Sequence, residues 1–261
     1  RAQPEGSPIM TALSNLRLPT RRYALGVGIA GEGLKYFRYW ILAAIAVAFL
    51  GPLALSRYQE IDYSTWFYTG NVAKWFTVFV AAAFVYVLVP NMIATGLTRR
   101  ELAVAMGVFG LLWSAVLGAL TLAGFLAEHA YYDALGWSQG IERDQAMVPL
   151  ETWGEAAAFG AVYALLYLLY FIGGTLIGAA SYRWEGTGWL VVFPIALVVF
   201  SLDNAVFNTD PWGPDGLRVV TGLVEDWGPG VVLALIAAAT AIGAYLAYRV
   251  LRNVPLRSKK A

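Results

Sequence analysis

Six stretches of this 261-residue chain are long, apolar and nearly free of charge, and a chain built that way has few folds open to it. They are Tyr39–Ser56, Ala73–Ile93, Leu102–Ala127, Glu155–Ala180, Trp189–Phe207 and Pro229–Val250. A helix needs about 20 mostly apolar residues to cross a hydrocarbon core of about 30 Å, and backbone in lipid must satisfy its own hydrogen bonds. The stretches therefore predict an all-α membrane protein of six transmembrane helices. The short segments of alternating polarity that a transmembrane barrel requires are not visible. Composition agrees, with 59% hydrophobic and 13% charged residues, against roughly 45–50% and 25% in soluble domains.

Charge predicts the orientation. Take residues 1–38, the short loops at Thr95–Glu101 and Ser181–Gly188, and the tail after Val250 as one side. That side holds fourteen of the 18 Lys and Arg when Arg249 at its border is included, among them Arg21, Arg22, Lys35, Arg38, Arg99, Arg100, Arg183 and Arg252. Its only acids are Glu5, Glu32, Glu101 and Glu185. An excess of Lys and Arg marks cytoplasmic loops, so both termini are expected inside. The expected organisation is a cytoplasmic N-terminal segment over 1–38, a six-helix membrane domain over 39–250 and a basic cytoplasmic tail over 251–261. No signal peptide is expected ahead of Tyr39, and Met10 is a candidate start. The net charge of +1 and the anchoring role of these cations argue against a nucleic-acid partner.

The outer loops Arg57–Val72, Glu128–Gly154 and Asn208–Gly228 are longer, aromatic and acidic. With zero Cys they have no disulfides to shape them. Trp66, Trp137, Trp153, Trp212 and Trp227 fall there, and a small folded extracellular cap is expected from them.

Chemistry is sparse. One histidine, His129, and no cysteine cannot make a His-rich catalytic metal site. No P-loop pattern occurs, and no Ser sits in a nucleophile elbow. Gly26-Val27-Gly28-Ile29-Ala30-Gly31 matches G-x-G-x-x-G, but without a preceding strand it reads as a flexible glycine-rich segment. No catalytic residues and no metal are therefore expected. Glu128, His129, Asp203 and Asn204 are candidate polar groups at an outer mouth, with Asp203 within a turn or two of water and capping at the interface. No carboxylate is expected near the midplane, which disfavours ion-coupled transport. Gly174 and Gly178 form a G-x-x-x-G pattern suited to close helix packing, within the chain or between chains. Pro90 and Pro194 are expected to kink their helices.

The first inner loop is the most informative segment: a proline-bent helix end, then Gly96-Leu97-Thr98-Arg99-Arg100-Glu101, with Thr98 placed to cap the third apolar helix. It resembles the Gly-[Val/Leu]-[Ser/Thr]-Arg-Arg turn of bacterial ABC-transporter permeases of the export type. The likeness continues through Ala127-Glu128, Gly136-Trp137 and the run Gly178-Ala179-Ala180-Ser181-Tyr182-Arg183-Trp184, with Glu185 intervening before Gly186. It spans most of Tyr36–Phe200.

That resemblance implies a permease subunit of the bacterial plasma membrane that borrows a separate ATPase. ATP and Mg would be held on that partner, and this chain would carry no cofactor. A second permease chain, identical or homologous, would complete the transporter. Gly96, Leu97, Thr98, Arg99, Arg100 and Glu101 would contact the ATPase, Leu97 as an apolar knob and the arginines as bidentate partners for carboxylates. Thr20–Arg38 would be a connecting helix lying along the inner membrane surface. The substrate implied is hydrophobic or amphipathic, such as a lipid, peptide or antibiotic-like molecule. The alternative is a membrane-embedded sensor or accessory protein whose outer cap binds a ligand.

Overall fold

The computed structural model of the chain describes residues 18–94, 96–143, 146–184, 188–207 and 229–253. Asn208, Trp212, Trp227, Glu185 and the tail cations Arg257, Lys259 and Lys260 lie outside these residues. The described chain is almost entirely helical: α1 (Leu18–Leu55), α2 (Thr65–Ala83), a π turn (Phe84–Leu88), α3 (Val89–Ala94), α4 (Arg99–Leu135), α5 (Trp153–Trp184), α6 (Trp189–Phe207) and α7 (Pro229–Arg252). Strands β1 (Gly140–Arg143) and β2 (Ala146–Pro149) form one antiparallel hairpin, with Ile141 opposite Val148. Among the described residues, five helices are long and apolar enough to cross a membrane, and Leu190–Asn204 of α6 is a further apolar stretch.

Small residues set the packing. Gly110 and Gly118 of α4 face Phe171 and Ala164 of α5, so these two run antiparallel. Gly174 and Gly178 of α5 lie on Val78 and Ala82 of α2, so α2 and α5 run side by side in the same direction. Both glycines of the G-x-x-x-G pattern are thus spent inside the chain. A Cβ at Gly178 would sit 2.5 Å from the Ala82 carbonyl oxygen, and one at Gly174 would overlap the Val78 carbonyl. Aromatic rings fill the centre: Phe109, Trp113, Phe125, Tyr163 and Tyr167 are fully buried, and Phe109 meets Phe171 edge-on at 5.1 Å.

The N-terminal segment departs from expectation. Thr20–Arg38 is no separate helix but the first half of α1, which continues unbroken to Leu55. Leu25, Ile29 and Ala30 are buried, and Gly26 approaches Ala105 and Val108 so closely that a Cβ would lie 2.6–2.7 Å from them. Phe49, further along, meets Tyr131, so α1 runs parallel to α4 over most of its length. The glycine-rich stretch is therefore helical, and at Gly26 the lack of a side chain serves a close helix crossing.

Helix ends also move outward from the apolar stretches. Helix α2 begins at Thr65, where Ser64 caps it by accepting from Phe67 N–H, so half of the expected loop Arg57–Val72 is helix. Helix α4 continues to Leu135 and stops at Gly136, whose φ of 70° takes the left-handed region glycine tolerates. Trp137 N–H then bonds the Tyr132 carbonyl at 2.9 Å, while the two rings meet edge-on at 5.4 Å, the usual hydrophobic partner of such a stop. The π turn precedes Pro90: Val89 N–H reaches back five residues to Phe84, just where the α ladder is about to lose a donor.

These directions gather Arg21, Arg22, Arg99, Arg100, Arg183 and Arg252 at one end of the bundle. The hairpin, Ser64 and Glu128 lie at the other. The charge asymmetry read along the chain is thus an asymmetry between two ends in space.

Candidate functional site

Helix α2 contains one charged residue, Lys74, and helix α6 contains one, Asp203. The fold brings them together. Lys74 Nζ donates to both carboxylate oxygens of Asp203 at 2.6 Å, and Tyr170 of α5 donates its hydroxyl to Oδ2 at 2.9 Å. Lys74 is 2% exposed and Asp203 7%. The ammonium also lies 5.5 Å and 5.7 Å from the ring centroids of Tyr170 and Tyr163, within reach of a cation–π attraction. A buried ion pair stands only when its remaining valences are satisfied, and the tyrosines do that here.

The cluster lies deep. Lys74 is nine residues into α2, about 14 Å from its start at 1.5 Å per residue. Below and above it on α2, Thr77 accepts a hydrogen bond from Trp113 of α4 at 3.4 Å, and Trp66 packs on Gly124. Lys74 is thus level with the middle of α4. Asp203, expected to cap at the interface within a turn or two of water, is half of a buried ion pair level with the middle of α4. Along the chain Lys74 reads as an outer cation, because the apolar stretch starts only at Ala73. One lysine in α2 and one aspartate in α6, each alone among apolar residues, was the available signal.

Glu128 and His129 belong to a second cluster at the hairpin end. Glu128 is fully buried and aimed at the start of α2. Its Oε1 accepts from the backbone N–H groups of Thr65 at 2.8 Å and Trp66 at 3.1 Å. Ser64 Oγ donates to Oε2, and Gln139 Nε2 donates to the same oxygen at 2.9 Å. Thr65 Oγ lies 2.7 Å from Oε1 and 2.6 Å from the Ala48 carbonyl, its one proton serving either. A carboxylate on the exposed amides of a helix start is favourable electrostatically as well. His129 Nδ1 is 3.0 Å from Gln139 Oε1, and its ring meets Trp153 edge-on. Ser64 N–H also bonds the Gly140 carbonyl at 2.6 Å, so this cluster ties α1, α2, α4 and the hairpin together. The four expected mouth residues therefore divide between two places: Glu128 and His129 build an anchor, while Asp203 and its buried neighbour Asn204 lie at mid-depth.

At the basic end, the turn before α4 is closed twice. Gly96, at φ 91°, and Leu97 return their N–H groups to the Ile93 and Met92 carbonyls at 3.0 and 3.3 Å. Thr98 and Glu101 then form a reciprocal capping box, Glu101 N–H donating to Thr98 Oγ at 3.2 Å and Thr98 N–H to Glu101 Oε2 at 3.0 Å. Leu97, expected as an exposed knob, is 4% exposed and belongs to the main core. The stop motif turns its side chain back onto the helices, which is where an apolar residue after a left-handed glycine packs. Glu101 is occupied by the cap. Arg100 is exposed and Arg99 half-buried, so the arginines are what this turn presents outward.

Comparison of the chain with family models, curated proteins and solved structures finds no match. Among the described residues no group of three or more His, Cys, Asp or Glu is arranged to hold a metal ion.

Proposed function

We propose that the chain is a membrane-spanning permease subunit, driven by a separate ATPase that docks at the basic end of the bundle. The observation that supports this best is the construction of the turn at Gly96–Glu101. Two backbone closures and a capping box hold it rigid, buried Leu97 fastens it to the core, and Arg99 and Arg100 are left outward. A partner pushing on such a turn moves α4 and the α2–α3 helix with it, because the turn has no slack. The contact surface is narrower than the resemblance implied: Arg99 and Arg100 receive the partner, while Leu97, Thr98 and Glu101 shape the turn. In this reading six helices cross the membrane with the basic end in the cytoplasm, a second permease chain completes the transporter, and the substrate is hydrophobic or amphipathic.

Arg99→Glu with Arg100→Glu tests the contact. Charge reversal sets like charges against an acidic groove, and co-purification of a P-loop ATPase is expected to fall at least about tenfold, as a loss of about 1.4 kcal/mol would give. Unchanged co-purification from correctly inserted protein would remove the reading's main support. Leu97→Asp is expected to unfold the turn and is no substitute.

Orientation has its own test. The chain lacks cysteine, so single cysteines at Ser138 and Ser258 report position alone. An impermeant maleimide on intact cells is expected to label Ser138→Cys and spare Ser258→Cys. The reverse pattern would invert the topology.

A further inference from the structure

Helix α6 is held to the bundle in an unusual way. Its apolar side chains from Leu190 to Leu202 are exposed or half-buried, and among its described side chains the buried ones are Ser201, Asp203 and Asn204, all polar. Val199 does seat against Gly173 of α5, where a Cβ would meet its Cγ2 at 2.8 Å, and Val199 and Leu202 pack beside Leu169, Val232 and Ile236; the contact of α5 with α2 and α4 repeats such glycine seats, at Gly110, Gly118, Gly174 and Gly178. In lipid there is no hydrophobic force between helices, and association rests on packing and polar bonds. A helix whose buried described side chains are all polar, with its apolar packing concentrated at Val199 and Leu202, therefore depends on that ion pair for its attachment.

We propose that α6 is a gate helix, latched to α2 and α5 at mid-depth by the Lys74–Asp203–Tyr170 cluster and able to leave while α1, α2, α4 and α5 stay packed. Two features support a separable α6. It contains Pro194, which removes one rung of its hydrogen-bond ladder. Its contact with α2 centres on Lys74 and on Trp75, whose ring lies 6.5 Å from Phe200, whereas α2 and α5 interlock at Gly70, Gly174 and Gly178. Opening would part the two charges along the seam between α2 and α6, which puts the path that α6 covers beside a buried ammonium and two tyrosine rings. The proposal needs the chain to span a membrane and needs no ATPase, so it stands or falls apart from the coupling reading.

A disulfide can report the latch. The Cβ position of Gly173 on α5 lies 3.9 Å from Val199 Cβ on α6, close to the mean for a disulfide of about 3.8 Å. In the full chain, reconstituted in phosphatidylcholine nanodiscs, Gly173→Cys with Val199→Cys is expected to cross-link rapidly under mild oxidation. Adding Lys74→Met should slow cross-linking at least about tenfold, and exchanging the charges, Lys74→Asp with Asp203→Lys, should restore it to within about threefold of the parent; these factors correspond to losing and regaining roughly 1.4 kcal/mol or more. Ser114, buried on α4, provides the control. A Ser114→Cys thiol must stay protected from maleimide in the Lys74→Met background. Cross-linking at the parental rate in Lys74→Met would overturn the proposal, as the charges would not be what docks α6. Deprotection of Ser114→Cys would overturn it too, because the ion pair would then be holding the whole bundle.

Discussion

Leucine at both Gly174 and Gly178 is expected to abolish the folded chain. At each site the space a side chain needs is occupied by backbone: the Val78 carbonyl at one, the Ala82 carbonyl 2.5 Å away at the other. Backbone cannot rotate aside as a side chain can, so α2 and α5 would have to separate along the face they share. Overpacking in a close-fitted core costs about 1–3 kcal/mol per site when neighbours can adjust. Two adjacent sites without that freedom should exceed about 4 kcal/mol, a large part of a typical net stability of about 5–15 kcal/mol. The measurement is the yield of monodisperse protein and its thermal midpoint in detergent. Gly28→Leu and Gly31→Leu are the comparison, since nothing lies within 4 Å of a Cβ at either position. They should be tolerated, with a shift under about 1 kcal/mol. Equal loss at all four positions would mean that glycine matters here for reasons other than close approach.

Glu128→Ala is expected to release the start of α2. The carboxylate takes hydrogen bonds from two backbone amides, the Ser64 hydroxyl and the Gln139 amide while fully buried. Hydrogen bonds to charged groups contribute about 1.5–3 kcal/mol each, and the donors stranded by truncation lose their solvation as well. A loss of about 3–5 kcal/mol is expected on that basis, seen as a lowered thermal midpoint and as new protease cleavage in residues 56–64 and at the hairpin. Glu128→Gln should recover only part of it, because its NH₂ faces donors. His129→Ala removes one contact to Gln139 and an edge-on ring pair, and should cost about 1 kcal/mol. If Glu128→Ala were neutral, the hairpin end would be held by its apolar contacts alone.

The long apolar helices were legible because such a run leaves so little choice: in lipid, a long uncharged segment must be helical. Their ends were less so. Thr65–Val72 is polar and aromatic enough to look like loop, and nothing local says that Ser64 is an N-cap with Glu128 behind it, since that carboxylate comes from 64 residues further along the chain. The Gly96 turn and the Thr98 cap could be read directly, as both are local motifs, whereas Glu101 was expected at the ATPase and is the other half of the capping box. The burial of Leu97 could not, because the direction of a side chain after a left-handed glycine depends on what the helices around it form. Gly174 and Gly178 announced a close contact without naming the partner helix. Lys74 and Asp203 illustrate the same limit: each was visible as a lone charge, and only the fold makes them a pair.

Their separation matters before the protein is finished. Lys74 and Asp203 are 129 residues apart, which at roughly 5–20 residues per second of synthesis is about 6–26 s. For that interval α2 has left the ribosome with a lysine and no acid to meet it. In a membrane, such a helix needs shelter during biogenesis, at the insertion machinery or near a surface where a lysine can reach water. Its final depth becomes available only when α6 arrives.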